Sequence, residues 1–147
     1  MTKNKIYLVQ TDTTVGFLSS NDKKLSSIKK RPNSQKILEV VSSFNELKTH
    51  TRIPNNFKQK VRKSKNTTFI YPNQNSYRVI SSNSSHHNFL NKFDSMYSTS
   101  ANETSKEFYE TYAINNSDIV VFTKDNFEEK ISSKIYKISK NKLVKIR

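Results

Sequence analysis

The chain reads as an α/β (α+β) domain built on a mixed sheet with flanking helices. Three observations predict this. Short runs of β-branched and aromatic residues are interspersed with capped amphipathic stretches, and two pairs of those runs are separated by turns of hairpin length. No internal repeat or extended linker breaks the series. Two hairpins require antiparallel neighbours, which argues against an all-parallel sheet. At 147 residues, one domain over 1–147 is expected, long enough to bury a core without disulfides or metal.

The N-terminal run Met1–Val9 is too short for a signal sequence or a membrane span, and reads as a first strand whose apolar part is Ile6-Tyr-Leu-Val9. The hydroxyl-rich Thr11–Thr14, leading to Gly16, predicts a loop or a helix entry. Ser19–Asp22 can cap a short helix over Lys23–Lys29, which Pro32 ends or closely follows. Ile37–Val41 is a second strand. Ser43-Phe-Asn-Glu46 has the spacing of a capping box, in this register or one residue away, and opens a helix over about Asn45–His50.

Pro54 ends that region. Asn55–Ser64 reads as a basic helix held by Phe57 and Val61 at i, i+4, with Lys58, Lys60, Arg62, Lys63 and Lys65 outward. Thr67–Tyr71 and Tyr77–Ile80 form a hairpin around Pro72–Ser76. After the polar loop Ser81–Ser85 a helix over His86–Phe93 buries Phe89, Leu90 and Phe93, and Tyr97–Asn102 runs from a strand into a polar turn. Phe108–Ala113 is expected to be helical and Ile119–Phe122 a buried strand. Ile135–Ile138 and Leu143–Ile146 pair around Lys140-Asn141 as a terminal hairpin.

Composition narrows the function. Twenty-six Lys and Arg against twelve Asp and Glu leave a charge of +14, a field that attracts nucleic acid, nucleotides or anionic membrane. The abundance of Lys, Asn, Ser and Ile also fits an A+T-rich coding sequence, so the charge by itself does not select among partners. The absence of cysteine excludes disulfides and thiolate metal sites and fits a reducing cytoplasm. Gly16 is the single glycine, which excludes a P-loop and a dinucleotide fingerprint, because both need several glycines to bring backbone amides onto phosphate. His86-His87 lacks a third ligand at helical or strand spacing and reads as a surface pair, so no metal site is assigned. No Ser-His-Asp or Cys-His set and no paired carboxylates stand out.

Three segments carry more. Gln10-Thr-Asp-Thr-Thr-Val-Gly-Phe17, Ile28-Lys-Lys-Arg-Pro32 and Ser98-Thr-Ser-Ala-Asn102 occur in that order. Together they resemble the Pro-Thr-Asp-Thr-x-Tyr-Gly-Leu, Lys-x-Arg-Pro and Ser-x-Asn motifs of the YrdC-like threonylcarbamoyl-adenylate synthase family. Weaker similarity runs through Thr67–Val79 and Ser132–Arg147. The resemblance implies a YrdC-like twisted mixed sheet with a basic concave face. It also implies an enzyme that joins L-threonine, bicarbonate and ATP, with Mg2+, into threonylcarbamoyl-AMP and pyrophosphate, for N6-threonylcarbamoyladenosine modification of tRNA. The chain departs from the family at Gln10 in place of proline and Val15 in place of tyrosine. It also has Gln35, with Lys36 one step on, where a second lysine is usual, and Arg62–Asn66 in place of a Pro-Gly-Pro stretch. The shortening falls between Val41 and Phe57 and near Lys124–Lys130.

By the same resemblance Lys29 and Arg31 are the catalytic pair, pointing the same way from an extended segment to meet phosphates, with Lys30 turned away. The other reading of that segment is a solvated basic turn. Ser100 and Asn102 offer a hydroxyl and an amide to phosphate or ribose, or else form an ordinary turn or cap. Thr11 and Thr13 line the amino-acid pocket, and Asp12 between them is structural. Arg78, Ser133 and Arg147 are carried over from the weaker matches, Arg78 toward substrate and the other two toward nucleotide. Lys58, Lys60, Arg62, Lys63 and Lys65 are the RNA-binding candidates. They suit docking of tRNA or of a tRNA-modifying protein, or a non-catalytic relative that binds double-stranded RNA or tRNA by phosphate contacts. No membrane role is expected, since no large amphipathic helix with exposed bulky apolar residues is found.

Overall fold

Strand β1 (Tyr7–Gln10) turns back through Thr11–Thr14 into β2 (Val15–Ser19), and helix α1 (Asp22–Ile28) follows. The computed structural model describes residues 4–147, so Met1, Thr2 and Lys3 of the N-terminal run read as a strand lie outside the described residues. Asn21 caps α1 by accepting from the amides of Lys23 and Lys24. Next come β3 (Glu39–Val41) and α2 (Phe44–His50). Ser43 is the cap of α2, its Oγ 3.0 Å from the Glu46 amide. A 3-10 turn at Asn55–Phe57 leads into α3 (Lys58–Lys63). The hairpin β4 (Thr67–Ile70) and β5 (Ser76–Val79), α4 (Ser85–Leu90) and β6 (Ser95–Ser100) come next. Last are α5 (Glu110–Asn115), β7 (Ile119–Val120), β8 (Lys134–Ile138) and β9 (Leu143–Lys145).

Among the described residues nine strands join one mixed sheet in the order β7-β1-β2-β6-β3-β5-β4-β8-β9. Five pairs are antiparallel, β1/β2, β2/β6, β3/β6, β4/β5 and β8/β9, and three are parallel, β1/β7, β3/β5 and β4/β8. The fold class expected from the sequence is therefore the one observed.

Because successive side chains point to opposite faces, each strand divides its residues between two environments. On the front face Tyr7, Val9, Leu18, Val40, Ile80 and Met96 pack with Phe89, Leu90 and Phe93 of the α4 region. On the back face Leu8, Val15 and Phe17 pack with Leu25 of α1 and Ala113 of α5. Farther along the back, Val41, Phe69, Tyr77 and Ile138 pack with Leu47 of α2 and Val61 of α3. Helix α4 covers only part of the front face.

The loop expected at Thr11–Thr14 is present. It leads into strand β2, whose residues Val15 to Ser19 are all buried between β1 and β6, a burial that no local pattern shows. Two local expectations are corrected. The stretch read as a buried strand at Ile119–Phe122 is a two-residue edge strand, Ile119–Val120, with Ile119 exposed on it and Phe122 exposed beyond it. The helix read over Phe108–Ala113 begins two residues later, at Glu110.

Candidate functional site

The uncovered part of the front face is a cleft of about 310 Å3. Strand alternation builds it. Thr68 and Ile70 of β4, Ser76 and Arg78 of β5, Ser98 and Ser100 of β6 and Ile135 of β8 face the cleft, while Phe69, Tyr77 and Tyr136 between them pack on the back. The β1–β2 turn adds Thr11, Thr13 and Thr14, the segment after α1 adds Arg31, and the C-terminal region adds Ser132, Ser133 and Arg147. Gly16 belongs to this wall. A Cβ there would sit 2.9 Å from Thr11 Cγ2 and 3.3 Å from the Thr99 carbonyl oxygen, so a side chain would push on the threonine turn. A second lobe of about 230 Å3 shares Thr14, Ser100 and Ser132 and adds Asn102, Phe108, Glu129 and Lys130.

Lys29 is not on an extended segment, which corrects the expected geometry. It is the C-cap of α1 with αR backbone angles, and Lys30 after it turns left-handed at φ 55° and is exposed. The Lys29 side chain runs inward and is only 3% exposed. Its Nζ donates to the carbonyl oxygens of Ser100 (3.1 Å) and Asn102 (2.6 Å) and to Asn102 Oδ1 (3.2 Å), with Ser100 Oγ at 3.5 Å. Thr104 Oγ1 donates back to the Lys29 carbonyl at 3.0 Å. Burial, with Arg31 nearby, lowers the Lys29 pKa to about 8. The ammonium thus locks the β6 exit loop, which sets where Ser100 and Asn102 stand.

Arg31, two residues on, is half-buried and lines the cleft, and its guanidinium makes no ion pair or side-chain hydrogen bond among the described residues. A half-buried fork of donors with no anion facing it is a ready acceptor site for phosphate or carboxylate. Arg78 is different. It is 4% exposed, and its Nη2 donates to Asp12 Oδ1 at 3.1 Å, which gives Asp12 the structural role expected of it. Burial lowers the Arg78 pKa and the Asp12 carboxylate acts against that. Arg78 Nε has no hydrogen-bond partner among the described residues.

Beneath this pair lies His86, 2% exposed, with neither ring nitrogen hydrogen-bonded among the described residues. The surface reading of His86-His87 is therefore wrong for His86: α4 turns it under the sheet face, where desolvation lowers its pKa to about 4. On the opposite wall Thr68 Oγ1 and Ser133 Oγ lie 2.9 Å apart. Arg147 clamps Ser133 through Nε to its carbonyl (3.0 Å) and Nη2 to its Oγ (3.4 Å).

The fold therefore gathers Thr11, Thr13, Arg31, Arg78, Ser100, Ser133 and Arg147 in one cleft, with Asn102 in the adjoining lobe and Lys29 behind the loop that carries it. The Thr11 hydroxyl is committed to its own turn, bonding the Thr14 carbonyl and the Thr13 amide. Lys36 does not reach the cleft and instead holds the β4–β5 turn through the Asn73 carbonyl and Asn75 Oδ1. Lys58, Lys60, Arg62, Lys63 and Lys65 are exposed, on the back face with α3, away from the cleft. Sequence reading missed Thr68, Ser76, Ser98 and Ser132. The available signal was the alternation of hydroxyls with aromatics in β4 and β5, Thr68-Phe69 and Ser76-Tyr77.

The donor set does not fit a magnesium ion held by the protein itself. The main cleft has no carboxylate in its lining, Asp12 is taken by Arg78, and Glu129 in the second lobe accepts the Phe108 amide at 2.7 Å. Among the described residues no three His, Cys, Asp or Glu side chains cluster, and no helix is long and apolar enough to cross a membrane.

A mixed sheet leaves one face open as a hydroxyl-lined cleft that carries arginine donors, a set whose chemistry suits a compact anion. Solved structures specify the fold further, as the YrdC-like one. The chain superposes on the MTH1692 protein of Methanobacterium thermoautotrophicum with a TM-score of 0.70 and 16% identity over 97% of this chain and 79% of the other. E. coli YciO gives 0.77 and 17% over 99% and 83%. P. abyssi Sua5, solved complexed with L-threonine, gives 0.79 and 15% over 97% of this chain, which spans 50% of Sua5. No family model and no curated protein matches the chain by sequence.

Proposed function

We propose that the cleft binds L-threonine, bicarbonate and ATP and forms threonylcarbamoyl-AMP, the activated precursor for threonylcarbamoyladenosine in tRNA. The observation that carries this reading is Arg31, a half-buried guanidinium without a counter-ion in a cleft walled by hydroxyls. The fold shared with an L-threonine complex of Sua5 supports it. In this reaction the threonine amine takes up bicarbonate to give a carbamate and water. A carbamate oxygen then attacks the α-phosphorus and pyrophosphate leaves. Both reactants are anionic, so the main task of the protein is to neutralise charge and fix approach.

Arg31 meets the charge that moves between carbamate and phosphate. Ser100, Asn102 and Ser133 orient phosphate or ribose, held respectively by the Lys29 ammonium and the Arg147 clamp. Thr13 and Arg78 face the amino acid. Magnesium would arrive with the ATP phosphates, and no step here depends on a protein ligand to it. The test is pyrophosphate release by the purified protein from ATP, magnesium and bicarbonate, with and without L-threonine. Threonine-dependent release that Arg31→Ala abolishes is expected; absence of release from the folded wild type overturns the reading.

A second reading is favoured by the internal use of Lys29, whose ammonium is already bonded to the protein. In it the concave face keeps the fold without the chemistry and binds double-stranded RNA or tRNA through phosphate contacts. It expects no pyrophosphate release, together with RNA duplex binding that weakens steeply with salt and with Arg31→Ala.

A further inference from the structure

We propose that the back of the sheet carries a second site, a track for the backbone of single-stranded nucleic acid laid along α3 and the β8–β9 hairpin. It is separate from the cleft and does not rest on the synthase reading. Two depressions lie at the two ends of this helix and strand pair. One, of about 400 Å3, is lined by Lys60, Lys63, Lys65 and Lys134 with Tyr136. The other, of about 790 Å3, is formed where the 50–56 loop, the 72–73 turn and the 140–141 turn meet, and its cations are Arg52 and Lys140. Between them Lys145 pairs across the hairpin with Tyr136, which places both side chains on the back face.

Charge complementarity chooses the partner. An ordinary solvated helix interleaves carboxylates with its lysines. Helix α3, Lys-Gln-Lys-Val-Arg-Lys, contains none, and no Asp or Glu lines either depression. No ion pair among the described residues uses any of these cations. Lys60 instead lies 5.3 Å over the Tyr136 ring, which is stacked on Phe69 at 5.8 Å. An aromatic ring bedded on the core, with an exposed lysine over it whose ammonium a phosphate would draw aside, has the chemistry of a base-stacking platform in a cationic groove. A membrane surface fits less well: Val61 is buried, Phe57 is half-buried, and the strongly exposed apolar side chains Tyr109, Phe122 and Ile131 lie off α3.

The experiment is fluorescence anisotropy of labelled dodecamers of uridine and of thymidine over a potassium chloride series. Phosphatidylserine vesicles serve as a separate probe. The proteins are the wild type, Lys60→Ala/Lys63→Ala/Lys134→Ala, Tyr136→Ala and the cleft variant Arg31→Ala. With about six phosphate contacts the logarithmic salt slope is about −4, and the triple variant flattens it by about 2. The triple variant also weakens binding at least tenfold, Tyr136→Ala weakens it about tenfold, and Arg31→Ala changes neither slope nor affinity. Equal binding of both dodecamers assigns the site to phosphate and stacking alone, and a preference for uridine assigns it to RNA. Unchanged binding by the triple variant, loss of binding in Arg31→Ala, or binding to vesicles without binding to either dodecamer overturns the proposal.

Discussion

The cleft and the α3 face are both basic, yet they hold their charge in opposite ways. Around the cleft Lys29 and Arg78 are almost fully buried and each is tied to a named acceptor, Lys29 to the Ser100–Asn102 loop and Arg78 to Asp12, and Arg147 clamps Ser133. On the back the lysines of α3 are exposed and form no ion pair among the described residues. Buried, hydrogen-bonded cations fix geometry; solvated ones supply a field that salt screens. The cleft is thus fixed in geometry, whereas the back offers charge without a fixed arrangement.

The sharpest test of that contrast is stability. Asp12→Asn leaves Arg78 buried without its counter-charge and is expected to cost about 3–5 kcal/mol in urea unfolding. Lys63→Ala on the back is expected to stay within about 0.5 kcal/mol. Activity follows. Arg31→Ala is expected to lower threonine-dependent pyrophosphate release at least a hundredfold, about 2.7 kcal/mol of transition-state stabilisation, and Arg31→Lys to restore only part, since an ammonium lacks the two-pronged contact.

Acid should loosen the cleft region before the back face. The His86 pKa falls from 6.5 to about 4 on folding, through desolvation first and then the opposing pull of Asp12 and push of Arg78 and His87. Between those values the unfolded chain binds the extra proton, so stability is present above about 6.5 and is lost as pH falls toward 4. The loss by pH 4.5 is about 2 kcal/mol, and His86→Leu should remove that part of the pH dependence. Lys29 works from the alkaline side. Its pKa falls from 10.5 to about 8 on folding, so the unfolded chain again holds more protons, and stability rises with pH between 8 and 10.5. On the order of 1 kcal/mol is expected between pH 8 and 9.5, and Lys29→Met should abolish it. The smallest effect is at Lys30, whose left-handed φ of 55° makes Lys30→Gly stabilising by about 0.5–1 kcal/mol in thermal unfolding, less any entropy lost to the more flexible chain.

Much of this was legible in the residues. The cap at Ser43, the β4–β5 and β8–β9 hairpins and the basic helix anchored by Val61 came from local chemistry, and local chemistry decides caps and turns. The site was legible only as a set of residues. Thr68, Ser76 and Ser98 are single hydroxyls on three strands far apart in the chain, and nothing local marks them as facing one cleft. Lys29 was read as a phosphate clamp from the family resemblance and its spacing to Arg31; its bonds to Ser100 and Asn102, 71 and 73 residues away, are set by tertiary packing and leave no local mark.

The sequence by itself determined the mixed α/β class, the order of most elements, the segments that carry polar chemistry and the placement of positive charge along α3, because each depends on neighbours a few residues apart. Only the tertiary structure decided that Val15–Ser19 is a strand, that His86 is buried, that Lys29 points inward and that α3 lies behind the sheet. Those outcomes depend on which strands lie side by side and which face each residue occupies. Pairing β2 with β6 or β4 with β8 joins residues more than sixty positions apart, and a shift of one residue in register would send every side chain to the other face.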